Sequence, residues 1–145
     1  MIKKDVMYAI GKAMAKYARD LVANDTTIEA NQVIDLSPLL KQWKEGAYNA
    51  GEVVVYKDIP YKCTMMHNSE GIPNWNPVEA TSLWANYHGT DAEHALPYAA
   101  PLGAHDAYMK GEFVIYNEDC YECITDATVY SPEILPANWK MVGAE

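Results

Sequence analysis

The residues best equipped to meet a ligand are four tryptophans, Trp43, Trp75, Trp84 and Trp139. An indole offers a flat apolar face with one polar N–H, and a sugar ring or a base stacks on such a face. The same rings also serve as core filler in small modules, which have few other ways to bury apolar area. Trp84 and Trp139 each close a repeated segment and suit the core. Trp75 lies in a loop, "PNWNP", that is peculiar to the first repeat, and suits a ligand or partner better. Trp43 falls between the two, because Gly103 stands at the matching place of the second repeat.

Other chemistry is thinly supplied. Cys120 and Cys123 form a CxxC pair, a spacing used for metal or redox work. Along a strand, residues three apart point to opposite faces, and no second pair supplies further ligands. Cys63 and Cys123 occupy equivalent positions, which favours packing. His67, His88, His94 and His105 are scattered, without the spacing of a metal motif. There is no nucleophile elbow, phosphate loop or triad order. The expectation is a protein without catalytic residues, metal or cofactor.

The elements that must position the tryptophans are written twice. "GEVVVYKDIPYKC" at 51–63 returns as "GEFVIYNEDCYEC" at 111–123. At an offset of 60, Tyr48 matches Tyr108, Gly51 matches Gly111, Tyr61 matches Tyr121 and Cys63 matches Cys123. Each copy reads as two short strands about a tight turn, followed by a Pro-containing loop and a closing Trp. The predicted fold is mostly β, with two small antiparallel three-stranded modules in tandem behind an N-terminal α-helix. The expected division is a helical arm over 1–36, a first module over 37–88, a linker over 89–102 and a second module over 103–145.

Residues 2–23 have helical periodicity. Met7, Ile10, Met14, Tyr17 and Leu21 recur at spacings of 3, 4, 3 and 4, the rhythm of a two-residue heptad seam. The stripe either packs on its own domain or joins several copies of the chain in a bundle. Gly11, unfavourable in a helix interior, would permit close approach of a neighbour. Thr26 with Glu29 fits a capping box, and Ser37-Pro38 ends any helix before the first module.

Composition excludes some classes. The chain has 145 residues, eleven tyrosines against one phenylalanine, and a net charge of −9. So acidic a surface repels phosphate backbones, which argues against nucleic acid. No apolar run reaches the length of a membrane span, and charges within residues 1–22 leave no secretory signal.

The order Trp, Tyr-x-x-Gly-acid-x-Val, an aromatic, a turn, Tyr-x-small, a Pro loop and a closing Trp resembles the chitin-binding type-3 module. That module is classed with carbohydrate-binding module families five and twelve. Across residues 36–142 the tandem layout also resembles small carbohydrate-binding proteins encoded among the virion and tail genes of phages of Gram-positive hosts. The resemblance implies a three-stranded sheet per module and surface aromatics that stack on sugar. The carbohydrate-binding candidates are then Trp75, Trp43, Trp84, Tyr61 and Tyr130. It also implies a virion location, with host cell-surface polysaccharide and other virion proteins as partners. The stripe of Met7, Ile10, Met14, Tyr17 and Leu21, read as a bundle seam, gives a homo-oligomer as the expectation, a trimer first, as is common for phage fibres and spikes. One departure bears on function. Where chitin binders carry a pair of platform aromatics, this chain has Met65-Met66 and Thr125-Asp126. That departure favours a rival reading, in which the modules are structural or decoration elements of the particle. A binding domain of a free host enzyme is a third.

Overall fold

The computed structural model describes residues 4–25, 27–104 and 106–143. Helix α1, Lys4–Asn24, is built largely of strong helix formers and carries an exposed Lys16–Asp20 pair at 2.6 Å. A short helix α2, Ala30–Leu36, follows; the Gln32 side chain accepts from the Glu29 N–H at 2.9 Å. The capping box thus sits one turn later than Thr26–Glu29, and Thr26 itself lies outside the described residues. Ser37-Pro38-Leu39 forms a 3-10 turn and ends the helical arm.

Two pairings make up the first module. Strands β1 (Ala47–Tyr48) and β4 (His67–Asn68) pair with each other; β2 (Val53–Tyr56), β3 (Ile59–Cys63) and β5 (Trp84–Asn86) form an antiparallel sheet in the order β2-β3-β5. The β2–β3 turn is made by Lys57 and Asp58, at φ 51° and 68°. Two successive left-handed residues define the tight turn whose twist matches a hairpin. Pro60 is tolerated in the middle strand because β5 pairs only from Tyr61 to Cys63, so no ladder bond is lost.

The second module repeats the hairpin as β7 (Phe113–Tyr116) and β8 (Asp119–Cys123), with Asn117 and Glu118 at φ 50° and 72°. Its register is the same: Val54 faces Tyr61 as Val114 faces Tyr121. Strand β9, Trp139–Met141, pairs with β8 as β5 pairs with β3.

The stretch 89–102, expected as a linker, is folded into this second sheet. Strand β6, Leu96–Pro97, runs parallel to β7 and makes the sheet four-stranded, in the order β6-β7-β8-β9. The first module has the same feature in reduced form, a parallel bridge from Gln42 to Val55. Trp43 N–H donates to Val55 O at 2.8 Å, and Tyr98 N–H donates to Ile115 O at 2.9 Å. The counterpart of Trp43 is therefore Tyr98, not Gly103. Trp43 meets Tyr56 edge-on at 5.5 Å, and Tyr98 meets Tyr116 edge-on at 5.8 Å. Gly103 aligned only because a constant offset ignores the longer loop between Tyr98 and Tyr108.

Alternation along β2 buries both faces of the first sheet. Val54 points into the module with Tyr48, Tyr61, Cys63 and Trp84. Val55 points the other way, into a cluster with Ala18, Val22, Val33 and Leu40. The helical arm thus docks on the outer face of the first module. A third core joins Tyr108, Val114, Cys123 and Trp139.

The docked side of α1 runs through Ala18 and Val22, not along the seam. Ile10, Met14 and Tyr17 are exposed and Leu21 is half-buried; the Met7 side chain lies outside the described residues. Nothing comes within 4 Å of a β-carbon built at Gly11, so no neighbour makes use of that glycine in this chain.

The arm, the connection and the second module are tied together. Asn31 Nδ2 donates to Thr90 Oγ1 at 2.8 Å, and its carboxamide oxygen accepts from Thr90 N–H at 2.9 Å. His94 places Nε2 2.7 Å from Asp35 and Nδ1 2.7 Å from Asp91. His88 stacks on Tyr108 at 4.0 Å and reaches Glu112 at 2.9 Å. Gly89 is required here: a β-carbon would lie 2.0 Å from the carbonyl oxygen of His94.

Candidate functional site

The Trp75 loop is shaped by two residues that flank the ring. Pro73 opens a 3-10 turn over Pro73–Trp75. Asn76, buried, then holds the chain on both sides: its Nδ2 donates to Pro73 O at 3.1 Å, and its Oδ1 accepts from the Val78 and Glu79 N–H groups at 3.0 Å each. An Asn side chain bonded two and three residues on is an Asx turn, and here Pro77 follows it. The backbone is fixed and the ring projects, leaving Trp75 37% exposed. Its inner edge meets His67 at 6.3 Å, and His67 meets the core ring Trp84 at 5.4 Å.

A groove of about 300 Å³ runs beside Trp75, with Asn74, Glu79 and Ser82 as its polar groups. An apolar ring next to a carboxamide, a carboxylate and a hydroxyl provides what a sugar needs, a stacking face and hydrogen-bond partners at its rim.

The second module builds the same turn with other residues. Ser131 stands where Asn76 stood, and its Oγ accepts from Ile134 N–H at 3.2 Å. Leu135 N–H donates to Ser131 O at 2.9 Å, as Ala80 N–H donates to Asn76 O at 2.8 Å. Ser131-Pro132 therefore matches Asn76-Pro77, and Tyr130 matches Trp75. Past the loop the repeat offset is 55, so the first module carries five additional residues there. Tyr130 is 56% exposed. The sequence held this signal, an aromatic directly before a polar residue and a proline in both copies, but the loop-length difference hid it.

Three other candidates are placed differently. Tyr61 and Trp84 are 4% and 2% exposed and belong to the first module's core, so neither offers a free ring face for stacking. Both are conscripted because a module this small needs large rings to fill its interior. Trp43 is half-buried against Tyr56 at the margin of the same core. The structure brings Trp75 together with no other candidate ring.

The platform positions are exposed but not aromatic. Met65 and Met66 stand out from the end of β3, and Thr125 and Asp126 take the matching positions. Thioethers are polarizable and adaptable, but provide no flat face for a sugar.

The cysteines do packing work. Cys63 and Cys123 are buried at equivalent places, and their thiols donate to Met65 O at 3.2 Å and Thr125 O at 3.1 Å. Burial pushes the Cys63 and Cys120 thiols up, away from the thiolate form that reacts or binds metal. Among the described residues no group of three or more His, Cys, Asp or Glu is placed to hold a metal ion. His105 lies outside the described residues. No helix of the described residues is long and apolar enough to cross a membrane.

The exposed seam of α1 borders a second groove of about 380 Å³, lined by Ile10, Met14, Tyr17, Leu36 and Leu39. Its lining is almost wholly apolar.

Residues 42–85 match carbohydrate-binding module family 5/12, so the chain contains a domain of that family, a binding and not a catalytic module. A similar protein is "Chitinase Chi52" of Paenibacillus xylanexedens, 46% identical over 48 residues, which is 31% of this chain and 9% of the chitinase. The chain thus spans under a tenth of the length of that curated relative. The matched segment holds the first module, including Trp43, Trp75 and Trp84.

Proposed function

We propose that this protein is a non-catalytic carbohydrate-binding protein of a phage virion, which attaches the particle to host cell-surface polysaccharide. The observation that carries the binding half is the paired turn: Trp75 and Tyr130 project from equivalent positions while the rings around them are buried. The family 5/12 match over the first module supports a polysaccharide ligand, and the aligned chitinase supports one built of N-acetylated sugars. The resemblance of the tandem layout to phage proteins supports the virion location. A single ring per module predicts weak binding at each site. Several copies joined through the exposed seam of α1, as a trimer, would raise avidity without any new contact.

A second reading makes the modules decoration elements that have lost sugar binding; Met65-Met66 and Thr125-Asp126 at the platform positions favour it.

A pull-down on insoluble chitin and on purified host cell wall separates the two. The unmodified protein should be retained, and the doubly substituted Trp75→Ala, Tyr130→Ala variant released, with the thermal midpoint almost unchanged. Loss of one stacked ring is worth on the order of 1–3 kcal/mol of binding, by analogy with bases on aromatic side chains. If the unmodified protein is retained by neither matrix, the attachment reading fails and decoration stands.

A further inference from the structure

Among the described residues, a cleft larger than the grooves at Trp75 and at α1 lies behind the Trp75 turn, reached by Pro77 and Val78 but not by the Trp75 ring. It opens where the two modules meet and encloses about 420 Å³. Asn86 and Thr81 come to it from the first module, Tyr98 and Ala100 from the segment after β6, and Asp106 from the loop before Tyr108. We propose that this cleft is a second saccharide site, for a neutral or N-acetylated sugar, that neither module possesses alone. The proposal rests on the carbohydrate-binding reading and adds to it a site apart from the two projecting rings.

Three observations carry it. The volume falls within the range of small-ligand sites, about 300–1,000 Å³. The lining is mixed in the way a sugar requires, since Tyr98 and neighbouring prolines give apolar surface, while the Asn86 carboxamide and Thr81 hydroxyl are engaged by no described residue. No lysine or arginine lines the cleft and Asp106 does, within a chain of net charge −9, so phosphorylated or uronic sugars are repelled.

The walls are held before any ligand arrives. Tyr98 Oη donates to Val129 O at 3.1 Å, and Ala99 N–H donates to Tyr108 Oη at 3.1 Å. Asp106 accepts from the Leu102 and Gly103 N–H groups at 2.9 and 3.0 Å. Parallel pairing of β6 with β7 fixes the segment that carries Tyr98. A preformed wall spares the ligand the cost of ordering it.

The test is an amide-resolved NMR titration of the full chain with the N-acetylglucosamine trimer. Three proteins are compared: the unmodified chain, the Trp75→Ala, Tyr130→Ala variant, and Ala100→Trp, which fills the cleft from its exposed mouth. Thr81→Trp fills it from the opposite wall and replaces Ala100→Trp should that variant misfold. The Ala99 and Ala100 amides and the Asn86 side-chain amide should shift in the unmodified chain and in the double variant. In the filled variant their apparent affinity should fall by roughly tenfold or more, while signals from Asn74 and Ser131 move as before. Movement at Asn74 and Ser131 with none at Asn86, Ala99 and Ala100 overturns the cleft site and leaves the turn sites standing. A titration in which no signal moves overturns both.

Discussion

The indole N–H of Trp139 donates to the carbonyl oxygen of Tyr130 at 3.0 Å, whereas the buried indole N–H of Trp84 finds no partner among the described residues. In the second module the core ring therefore anchors the backbone of the turn that presents Tyr130. In the first module the turn is held by Asn76 instead. Trp139→Phe should remove the bond to the Tyr130 carbonyl and destabilise the protein by about 0.5–1.5 kcal/mol beyond the lost ring volume. Trp84→Phe removes a donor that was never satisfied and should cost only the volume term. Thermal or urea unfolding of the two variants, side by side, checks the difference; equal losses would refute it.

Asn76 is expected to link stability to binding. Asn76→Ala deletes one donor and a shared acceptor from a buried turn and should cost about 1–3 kcal/mol. It should also lower retention on chitin, because Trp75 loses its support. Asn76→Asp keeps the acceptor for Val78 and Glu79 and loses only the bond to Pro73, so its loss should be the smaller. Equal retention by all three proteins would show that the ring does not depend on this turn.

The His94 clasp predicts a pH dependence. The hydrogen bond to Asp91, followed by that to Asp35, raises the His94 pKa above its ordinary 6.5. A raised folded value means that the contribution is complete below about 6.5 and fades as pH rises through the folded pKa. Asp91 is shifted the opposite way, below 3.8, chiefly by its hydrogen bond to His94, so its contribution is lost only as pH falls through that lower value. The clasp is therefore strongest in mildly acidic solution. From about pH 6 toward 8, the unmodified protein should lose more of its thermal midpoint than His94→Gln does. Parallel profiles would exclude the clasp as a source of stability.

For the arm, Ile10→Asp with Met14→Asp should convert the proposed trimer to monomer without lowering the module melting transition. Both side chains are exposed within the chain and contribute little to its own core. Light scattering on the unmodified protein at micromolar concentration checks the premise, and a monomer there removes the oligomer from the proposal.

Much of the fold is legible in the sequence because its signals are local. A constant offset of 60 locates both hairpins within the repeated segments, and the structure narrows them to strands over 53–56 and 59–63 and over 113–116 and 119–123, with tighter two-residue turns. What the offset misses comes from loops that changed length. The equivalences of Trp43 with Tyr98 and of Trp75 with Tyr130 appear only once backbone hydrogen bonds are compared. The helix is legible and its docked side is not, since heptad spacing marks an apolar stripe without saying which surface meets Val55. Tyr61 shows the related ambiguity, since a large ring within a strand reads the same whether it fills a core or faces a ligand. Trp84 and Trp139 close their repeats, which marks them for the core, and they are buried there.

The folded connection between the modules has a consequence for the geometry of recognition. A tether of fourteen loose residues would let each module search alone, so that polymers of many spacings could satisfy both. Here β6 is a strand of the second sheet, and Asn31 and His94 pin its approach to the arm. The rings of Trp75 and Tyr130 are thus carried on a rigid gauge. On the attachment reading proposed above, a glycan array whose repeat matches that spacing would engage both rings, and one out of step would engage a single ring, since β6 and the Asn31 and His94 contacts hold the connection in place.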